Sequence, residues 1–201
     1  MKKLTRSEQK HLDIINAAKE EFIEHGFLSA NMDRITSSAE VSKRTLYRHF
    51  ESKEVLFESV LTIINDSVNE SVSYQFDDSK STKQQLDEIA YNEIEVLYHT
   101  YGIALARTIV MEFLRQPEMA KNLIKNIYSI RAITQWFSEA IDAGRLKQAD
   151  PKLMTDVYVS LFQGLFFWPQ VMNLDIEPIG EAMENKVNTV TSIFIQSYGL
   201  K

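Results

Sequence analysis

Apolar residues along this chain recur at intervals of three and four, and not at intervals of two. The series Ile14, Ile15, Ala18 and Phe22 is one example. Such spacing places side chains on one face of an α-helix, whereas strict alternation would place them on one face of a strand. Six glycines and four prolines in 201 residues also leave few tight turns for a β-rich fold. The sequence therefore predicts an all-α fold of about nine helices.

Polar residues and prolines mark where these helices begin and end. Thr5 and Glu8 form a capping-box pattern, and Gly26 stands where a glycine commonly ends a helix. A long helix is predicted from Pro117 to near Gly144. Other predicted N-cap or first-turn residues are Asn31, Ser42, Ser52, Pro151 and Pro178. Pro169 lies inside an apolar run and should kink or end its helix.

Charge is spread unevenly along the chain, whose net charge is −6. Residues 1–50 hold nine Lys/Arg and seven Asp/Glu, a balance of +2, whereas residues 51–201 hold thirteen and twenty-one, a balance of −8. Only the N-terminal quarter could approach a phosphate backbone without strong repulsion. A chance fluctuation of a few charges would give the same pattern.

Composition argues against several other classes of protein. The chain has no cysteine, which excludes disulfides and thiolate metal sites. No signal peptide or bilayer-spanning apolar stretch is recognisable, so we expect a cytoplasmic, nucleoid-associated protein. No glycine-rich phosphate loop or H-E-x-x-H motif occurs, so we expect neither an enzyme nor a cofactor. Glu95 and His99 could share a metal, but an exposed pair is the simpler interpretation, and no metal site is predicted.

The stretch from Asn31 to Phe50 carries the most functional information. Two short helices are predicted there, separated by Ala39-Glu40-Val41, which is the spacing of a helix-turn-helix. Leu46 points towards a core, so Arg44 and Arg48 point away from it, beside Thr45 and Tyr47. Guanidinium groups suit phosphates and guanine edges, and a threonine methyl suits thymine. This helix is therefore predicted to enter the major groove of DNA.

These residues resemble the TetR family of transcriptional regulators over roughly Ile14–Leu56. The landmarks are Ala17-Ala18, Phe22, Gly26, Met32, Ile35, the run VSKRTLYRHF and Lys53. Glu40 departs from the family, which most often has glycine there. Because glutamate tolerates a positive φ poorly and adds negative charge, the departure predicts modest DNA affinity.

The resemblance implies a role for each matched position. Lys43 and Arg44 correspond to positions that approach base edges, and Lys53 to a phosphate-binding lysine at a helix start. Thr45, Tyr47 and His49 correspond to phosphate-binding positions, although Tyr47 could instead be a half-buried packing residue and His49 a surface or capping histidine. The predicted DNA-binding set is completed by Arg34, Ser42 and Arg48.

The resemblance also divides the chain into a DNA-binding domain, residues 1–54, and a helical ligand-binding and dimerisation domain, residues 55–201. A helix over about Lys152–Met172 is apolar around most of its circumference, and the next carries a narrow apolar stripe. We expect these two helices to form a four-helix bundle with a second copy, unless they belong to the core of one protomer. The predicted dimer residues are Leu161, Gly164, Trp168, Met183, Val187, Val190 and Phe194.

A ligand site is a weaker prediction for the same region. Arg107 and Glu112 lie in a helix that is otherwise nearly all apolar, so each must contact a ligand, an internal ion pair or solvent. Aromatic residues could line a cavity or simply form core. The predicted ligand-binding residues are Arg107, Met111, Glu112, Trp136, Phe137, Phe162 and Phe166. The acidic balance slightly favours a neutral or cationic ligand, and the side chains favour an apolar or aromatic one.

Taken with the resemblance, these features predict a ligand-responsive transcriptional regulator. The usual family behaviour is that of a repressor which binds double-stranded, palindromic operator DNA as a homodimer and is released by a small-molecule effector. The alternative is a relative that acts mainly through protein contacts and binds DNA weakly.

Overall fold

The computed structural model describes residues 4–118, 121 and 132–200, and its described part is all-α, as the sequence predicts. The helices, numbered here in chain order, are α1 (Arg6–Ser29), α2 (Met32–Ser38), α3 (Lys43–His49), α4 (Lys53–Ser71), α5 (Thr82–Glu95), α6 (Ile103–Arg115), α7 (Ala132–Asp142), α8 (Pro151–Phe162), α9 (Trp168–Val171) and α10 (Gly180–Tyr198). Two π-helical segments cover Val96–Tyr101 and Gln163–Phe167. Residues 119, 120 and 122–131 of the helix predicted from Pro117 to near Gly144 lie outside the described residues, and its last part is α7.

Several predicted helix ends are confirmed by their hydrogen bonds. The backbone N–H of Glu8 donates to the Thr5 hydroxyl and the N–H of Thr5 donates to the Glu8 carboxylate, which completes the capping box. Asn31 caps α2, and Asp150 caps α8 in front of Pro151. Gly26 has φ 70° and interrupts α1, but one more turn follows it. The predicted end at Gly26 is therefore a kink.

Pro169 breaks its helix in a specific way. The α-helix ends at Phe162, a π-helical segment follows, and α9 begins at Trp168. Proline has no N–H, so it leaves the carbonyl four residues earlier without its usual donor. The Lys186 ammonium donates to that carbonyl, on Leu165, at 3.3 Å. The interruption predicted from the proline is confirmed, and a side chain of α10 satisfies the exposed acceptor.

The chain forms two compact units, which are described separately. The first unit contains Met1–Ser67 and Ala104–Ile127, and the second contains Val68–Ile103 and Tyr128–Lys201. The predicted domain boundary after residue 54 falls inside the first unit, because most of α4 and α6 group with the N-terminal helices. In the first unit, Phe22 and Phe57 meet edge to face with ring centroids 5.0 Å apart. Its fully buried side chains include Ile14, Phe22, Ile35, Leu46, Leu56 and Phe57.

The second unit is built around aromatic side chains. Phe137 stacks on Phe194 with centroids 4.9 Å apart, and Tyr158 packs edge-on against both rings. Val187, Val190 and Phe194 are fully buried within this one protomer. Their side chains have no surface left for a second copy, so their assignment to a dimer interface is wrong. The stripe on α10 faces the core of its own unit, which was the alternative interpretation.

Candidate DNA-binding surface

Helix α3 is held by one buried side and presents a polar side. Ser42 caps it by accepting a hydrogen bond from the Thr45 N–H at 3.1 Å, and the two hydroxyls lie 2.9 Å apart. Leu46 is fully buried, and Phe50 is buried at the C-cap. The residues exposed on the other side are Ser42, Lys43, Arg44, Tyr47 and Arg48. The predicted division between a packed face and an outward face is therefore confirmed.

The outward face carries cations and a phenol. Within the described part of the chain, neither Arg44 nor Arg48 has an ion-pair partner within salt-bridge distance. Tyr47 is 51% exposed, so part of its side chain is accessible to a partner while the rest is covered. Thr45 is half-buried beneath them. The two arginines can therefore reach phosphates and base edges without first breaking an ion pair within the described residues.

Lys43 differs from the two arginines because it has a partner. Its ammonium lies 2.8 Å from the Asp33 carboxylate of α2. The hydrogen bond from Lys43 to Asp33 raises the pKa of the lysine above its ordinary value. Lys43, which is predicted to read bases, is thus exposed, and the charge of its ammonium is balanced by the Asp33 carboxylate.

The turn between α2 and α3 contains the residue that departs from the family pattern. Glu40 has φ 51°, in the left-handed region. The Val41 N–H donates to the Thr36 carbonyl at 3.0 Å, and the Glu40 N–H donates to the Ser37 carbonyl at 3.3 Å. Glutamate therefore occupies a backbone conformation that favours glycine, as the sequence predicts.

Arg34 has a structural role that the sequence did not reveal. Its guanidinium donates to both oxygens of the buried Glu21 carboxylate at 3.0 and 3.1 Å, and to the Ser29 carbonyl at 2.8 Å. The Asn31 N–H also donates to Glu21, at 2.8 Å. Burial by itself raises the pKa of Glu21, but the hydrogen bonds from Arg34 and Asn31 lower it by more. The guanidinium of Arg34 therefore joins α1 to α2, and because its side chain is 47% exposed, its predicted DNA contact stays a prediction.

Lys53 also has an internal role. Its ammonium donates to the carbonyls of Leu28 and Ala30 at 3.0 and 3.2 Å and lies 4.9 Å from the centre of the Phe27 ring. These contacts satisfy carbonyls at the end of α1. Lys53 also lines an open groove together with Asn31, Tyr47 and Ser52. Its predicted phosphate contact stays a prediction, and the lysine in addition stabilises the end of α1.

His49 is placed differently from the prediction. It is half-buried, and its ring centre lies 5.6 Å from that of His11. Its Nε2 atom is buried and has no hydrogen-bond partner within the described residues. Burial lowers the pKa of His49, and the nearby charges of His11, Arg48 and Lys10 lower it further. Burial of Nε2 keeps this atom away from solvent, and the predicted phosphate contact of His49 stays a prediction.

The predicted ligand-binding residues are divided between the two units. Arg107, Met111 and Glu112 belong to the first unit, where Met111 is exposed. Glu112 is 2% exposed, accepts a hydrogen bond from the Gln116 side chain and lies 3.5 Å from the Arg115 guanidinium. Internal pairing therefore explains this buried charge.

In the second unit the predicted aromatic residues belong to the core. Phe137 packs against Phe194, Phe162 stacks on Phe166 at 5.0 Å, and the Trp136 indole donates to the Gln85 side chain at 3.2 Å. Trp136 also lines a cleft of about 560 Å³ beside Tyr74 and Phe76. Tyr74 and Phe76 have no predicted role, although aromatic residues at i and i+2 are a signal that could have identified them.

The remaining predicted dimer residues keep some exposed surface. Gly164 and Trp168 are exposed, and Leu161 and Met183 are half-buried. Large apolar side chains on the segment before α10 are also exposed, with fractions from 55% to 83%: Met172, Leu174, Ile176 and Ile179.

Two other sequence expectations concern metals and membranes. His99 lies 3.7 Å from Glu95, and both side chains are exposed. In the residues the structure describes, no group of three or more potential ligands is arranged to hold a metal ion. Across those same ranges, no helix combines the length and the apolarity required to span a membrane.

Comparisons with known proteins agree over nearly the whole chain. Residues 14–60 match the family described as "Bacterial regulatory proteins, tetR family", and residues 84–200 match "AefR-like transcriptional repressor, C-terminal domain". The HTH-type transcriptional regulator UidR of Escherichia coli (strain K12) is 30% identical over 153 residues, which cover 75% of this chain and 74% of that protein.

Solved structures give the same result. A TetR family transcriptional regulator from Pseudomonas syringae pv. tomato has a TM-score of 0.80 and 32% identity, with 98% of this chain and 100% of that chain covered. The flavonoid-responsive regulator FrrA has a TM-score of 0.74 and 29% identity, with 96% and 98% covered.

Proposed function

Because its two parts match both halves of the family pattern, the chain belongs to the TetR family of transcriptional regulators, and we propose that it acts as a ligand-released repressor. As a member of this family it is a transcriptional regulator and not an enzyme. The proposed repressor binds a palindromic operator as a homodimer and leaves it when a small molecule binds. The observation that carries this proposal is the outward face of α3.

The outward face supports operator binding through its chemistry. Arg44 and Arg48 extend from a helix that is anchored by Leu46 and capped by Ser42. An anchored helix keeps its side chains in register with the bases, and unpaired guanidinium groups can make bidentate contacts to guanine. Tyr47 and Thr45 supply hydroxyl groups for phosphates.

Exposed apolar surface supports the homodimer. Leu174, Ile176 and Ile179 project into solvent, yet their loop is held by hydrogen bonds from Gln170 to the Ile176 carbonyl and from Lys186 to Asp175. Exposure of a fixed apolar loop to water is unfavourable, and another surface that covers the loop removes this cost. Members of the family form dimers, so we propose that a second copy covers this loop together with Trp168.

The cleft beside Trp136 supports a small aromatic effector. Its volume of about 560 Å³ lies within the usual range of roughly 300–1,000 Å³ for small-molecule sites. The Phe76 and Trp136 rings lie 5.7 Å apart in its wall, and Gln85, Glu88 and Asn92 supply polar groups. Since the similar regulator FrrA is named as flavonoid-responsive, flavonoids are the first compounds to test.

Helix α4 offers a route by which an effector could act on DNA binding. It begins at Lys53 in the first unit and ends at Ser71 in the second. A dimer needs its two recognition helices about 34 Å apart, or a multiple of one DNA turn, so a small shift of α4 would change the fit. A tenfold loss of operator affinity requires about 1.4 kcal/mol of coupling, which is common in allostery.

The DNA-binding proposal is tested by selecting bound sequences from a random duplex library and measuring affinity over a salt series. The proposal requires an inverted repeat and a steep loss of affinity as salt rises. Arg44→Met should weaken the selected site, whereas the control Lys152→Met, which removes an exposed cation from α8, should not. Salt-independent binding, or no effect of Arg44→Met, would favour the alternative of a protein-interaction module.

The effector proposal is tested by titrating flavonoids with and without the selected operator. Trp136→Phe leaves Trp168 as the single tryptophan and separates the fluorescence of the cleft from the rest. Linkage requires operator DNA to weaken effector binding by the factor by which the effector weakens DNA binding. Equal effector affinity in both titrations would exclude induction by that compound.

A further inference from the structure

We infer that Gln85 is a specificity-determining residue of the cleft beside Trp136, because its side chain occupies the hydrogen-bonding groups on the floor of that cleft. The effector that the cleft then accepts is an aromatic molecule with an unsubstituted ring at its inner end and polar groups at its outer end. This inference rests on the proposed effector site and names the class of effector for it.

The residues that line the cleft form a buried floor and an exposed rim. The floor residues are between 1% and 8% exposed: Tyr74, Gln85, Ile89 and Trp136. The rim is polar and includes Gln75, Lys80, Glu88 and Asn92. A ligand in the cleft therefore places one end against buried side chains and the other end among exposed polar groups.

Gln85 is a polar residue, but its side chain has no hydrogen-bonding group left for an effector. Its Oε1 atom accepts from the Asp77 N–H at 2.9 Å and from the Trp136 indole N–H at 3.2 Å. Its Nε2 atom donates to the carbonyls of Asp77 and Lys80 at 2.8 and 3.3 Å. A glutamine amide has two N–H donors and an oxygen that accepts two hydrogen bonds, so all of its capacity is used within the protein.

The other polar groups of the floor residues are also paired. The single indole N–H of Trp136 is bonded to Gln85, and the Tyr74 hydroxyl donates to the Glu93 carboxylate at 2.9 Å. Ile89 has no polar atom in its side chain. A ligand hydroxyl placed on the floor would lose its hydration and meet no side-chain donor, which lowers affinity. The floor therefore behaves as an apolar surface towards a ligand.

Aromatic and polar groups elsewhere in the cleft complete the match to such an effector. The Phe76 and Trp136 rings lie 5.7 Å apart with 57° between their planes, and a planar aromatic ligand can pack against them. At the rim, the exposed amides of Gln75 and Asn92 can both donate to and accept from a hydroxyl. The cleft is thus suited to a molecule that is apolar at its inner end and hydroxylated at its outer end.

The inference is tested with two flavones that differ at one end. Chrysin has hydroxyl groups at one end only, whereas luteolin has them at both ends. Chrysin can direct its unsubstituted ring to the floor, but luteolin must place hydroxyl groups there in either orientation. Calorimetric titration of the wild-type protein should show that chrysin binds about tenfold more tightly than luteolin. Equal affinities would overturn the inference.

Gln85→Leu should remove this preference. Leucine has a similar size but no amide, so the N–H groups of Trp136 and Asp77 become free to bond a hydroxyl on the floor. Luteolin gains these bonds and the unsubstituted ring of chrysin does not, so the ratio of the two affinities should fall below about twofold. A general loss of packing would weaken both flavones alike and leave the ratio unchanged.

The matched control for this variant is Gln84→Leu. Gln84 is the exposed neighbour of Gln85, lies outside the lining of the cleft and donates to Glu88 at 3.1 Å. Its replacement should keep the preference for chrysin. If Gln85→Leu keeps the preference as Gln84→Leu does, the inference is wrong.

Trp136→Phe tests the same point while Gln85 stays in place. The substitution removes the indole N–H, so the Gln85 Oε1 atom can accept a hydrogen bond from luteolin instead. The ratio of affinities should fall to about threefold or less. Trp168→Phe, at an exposed position, is the control and should keep the wild-type ratio.

The melting temperature of each variant shows whether it is folded, and if Gln85→Leu does not fold, the result for Trp136→Phe decides. If neither flavone binds the wild-type protein, the proposed flavonoid effector fails, and the inference fails with it. If both flavones bind but Gln85→Leu and Trp136→Phe keep the wild-type preference, only the inference about Gln85 fails.

Discussion

Helices α3 and α10 are both held by buried apolar side chains, but α3 has one such residue opposite a charged face and α10 has a whole apolar stripe. In α3 a single buried residue, Leu46, faces exposed cations, so the packed and outward faces differ in chemistry. In α10 the stripe that ends at Phe194 predicts a dimer interface and instead lies in the core of its own unit. Periodicity reveals that a face is covered, and it does not reveal which chain covers it.

The largest effect on stability is expected from substitution of Phe194 in α10. Phe194→Ala removes a fully buried ring from its stack with Phe137 and leaves a cavity, so we expect the free energy of unfolding to fall by about 3–5 kcal/mol. Denaturant unfolding measures the change. Ile193→Ala, at the exposed neighbouring position, should cost less than about 0.5 kcal/mol.

The opposite pattern would restore the interface prediction for α10. In that case Phe194→Ala would dissociate the dimer in sedimentation experiments and leave the stability of the folded protomer nearly unchanged.

The fold was predictable to the extent that local chemistry decided it. Caps such as Thr5 and Asn31 act within three residues, so the sequence alone predicts them. The burial of Val187 and Val190 depends on α5, α7 and α8, which are distant in sequence. An apolar stripe with this spacing can pack against its own protomer or against a second copy. The sequence does not distinguish these two arrangements, whereas the packed structure does.

Substitution of Arg34 should give the next largest effect. It distinguishes a cation that stabilises the fold from one that contacts DNA. Arg34→Met leaves the buried Glu21 carboxylate without its guanidinium partner, so we expect a loss of about 1–3 kcal/mol in stability. Thermal or denaturant unfolding measures this loss in the absence of DNA.

Arg44→Met is the matched control, because Arg44 is exposed and has no ion pair within the described residues. It should leave stability unchanged and reduce the salt dependence of DNA binding. If Arg34→Met reduced the salt slope and left stability intact, the result would support the predicted DNA contact of Arg34 and contradict its structural role.

The candidate site was predictable where a residue's exposure follows from its helix face. Arg44, Tyr47 and Arg48 lie outward as expected from the position of Leu46. Arg34 has the same chemistry but lies near a buried carboxylate thirteen residues earlier, and the sequence carries no sign of that contact. Long-range pairing of charges therefore limits what a motif can predict.

Glu40 gives a smaller effect, of opposite sign. Glu40→Gly relieves a left-handed backbone at φ 51°, so we expect stability to rise by about 1 kcal/mol. Ser38→Gly, two residues earlier in the helical part of α2, should lower stability by about 0.5–1 kcal/mol. Both changes are measured by thermal unfolding. If both glycine substitutions changed stability in the same direction, the turn at Glu40 would not be strained.

The smallest effect concerns pH and tests whether His49 belongs to the packed face of α3. Burial lowers the pKa of His49 in the folded protein, and the nearby charges of His11, Arg48 and Lys10 add to this effect, whereas the unfolded chain takes up a proton near the ordinary value of 6.5. Since the unfolded state binds the proton more readily, stability is complete above about pH 6.5 and falls as the pH drops towards the folded pKa. Below that pKa both states are protonated and this loss stops. Unfolding measured between pH 8 and pH 5 should therefore show a decline that His49→Gln reduces and that His99→Gln, at an exposed position, leaves unchanged. An identical decline in both variants would mean that His49 is as accessible to protons as a surface histidine and does not belong to the packed face of α3.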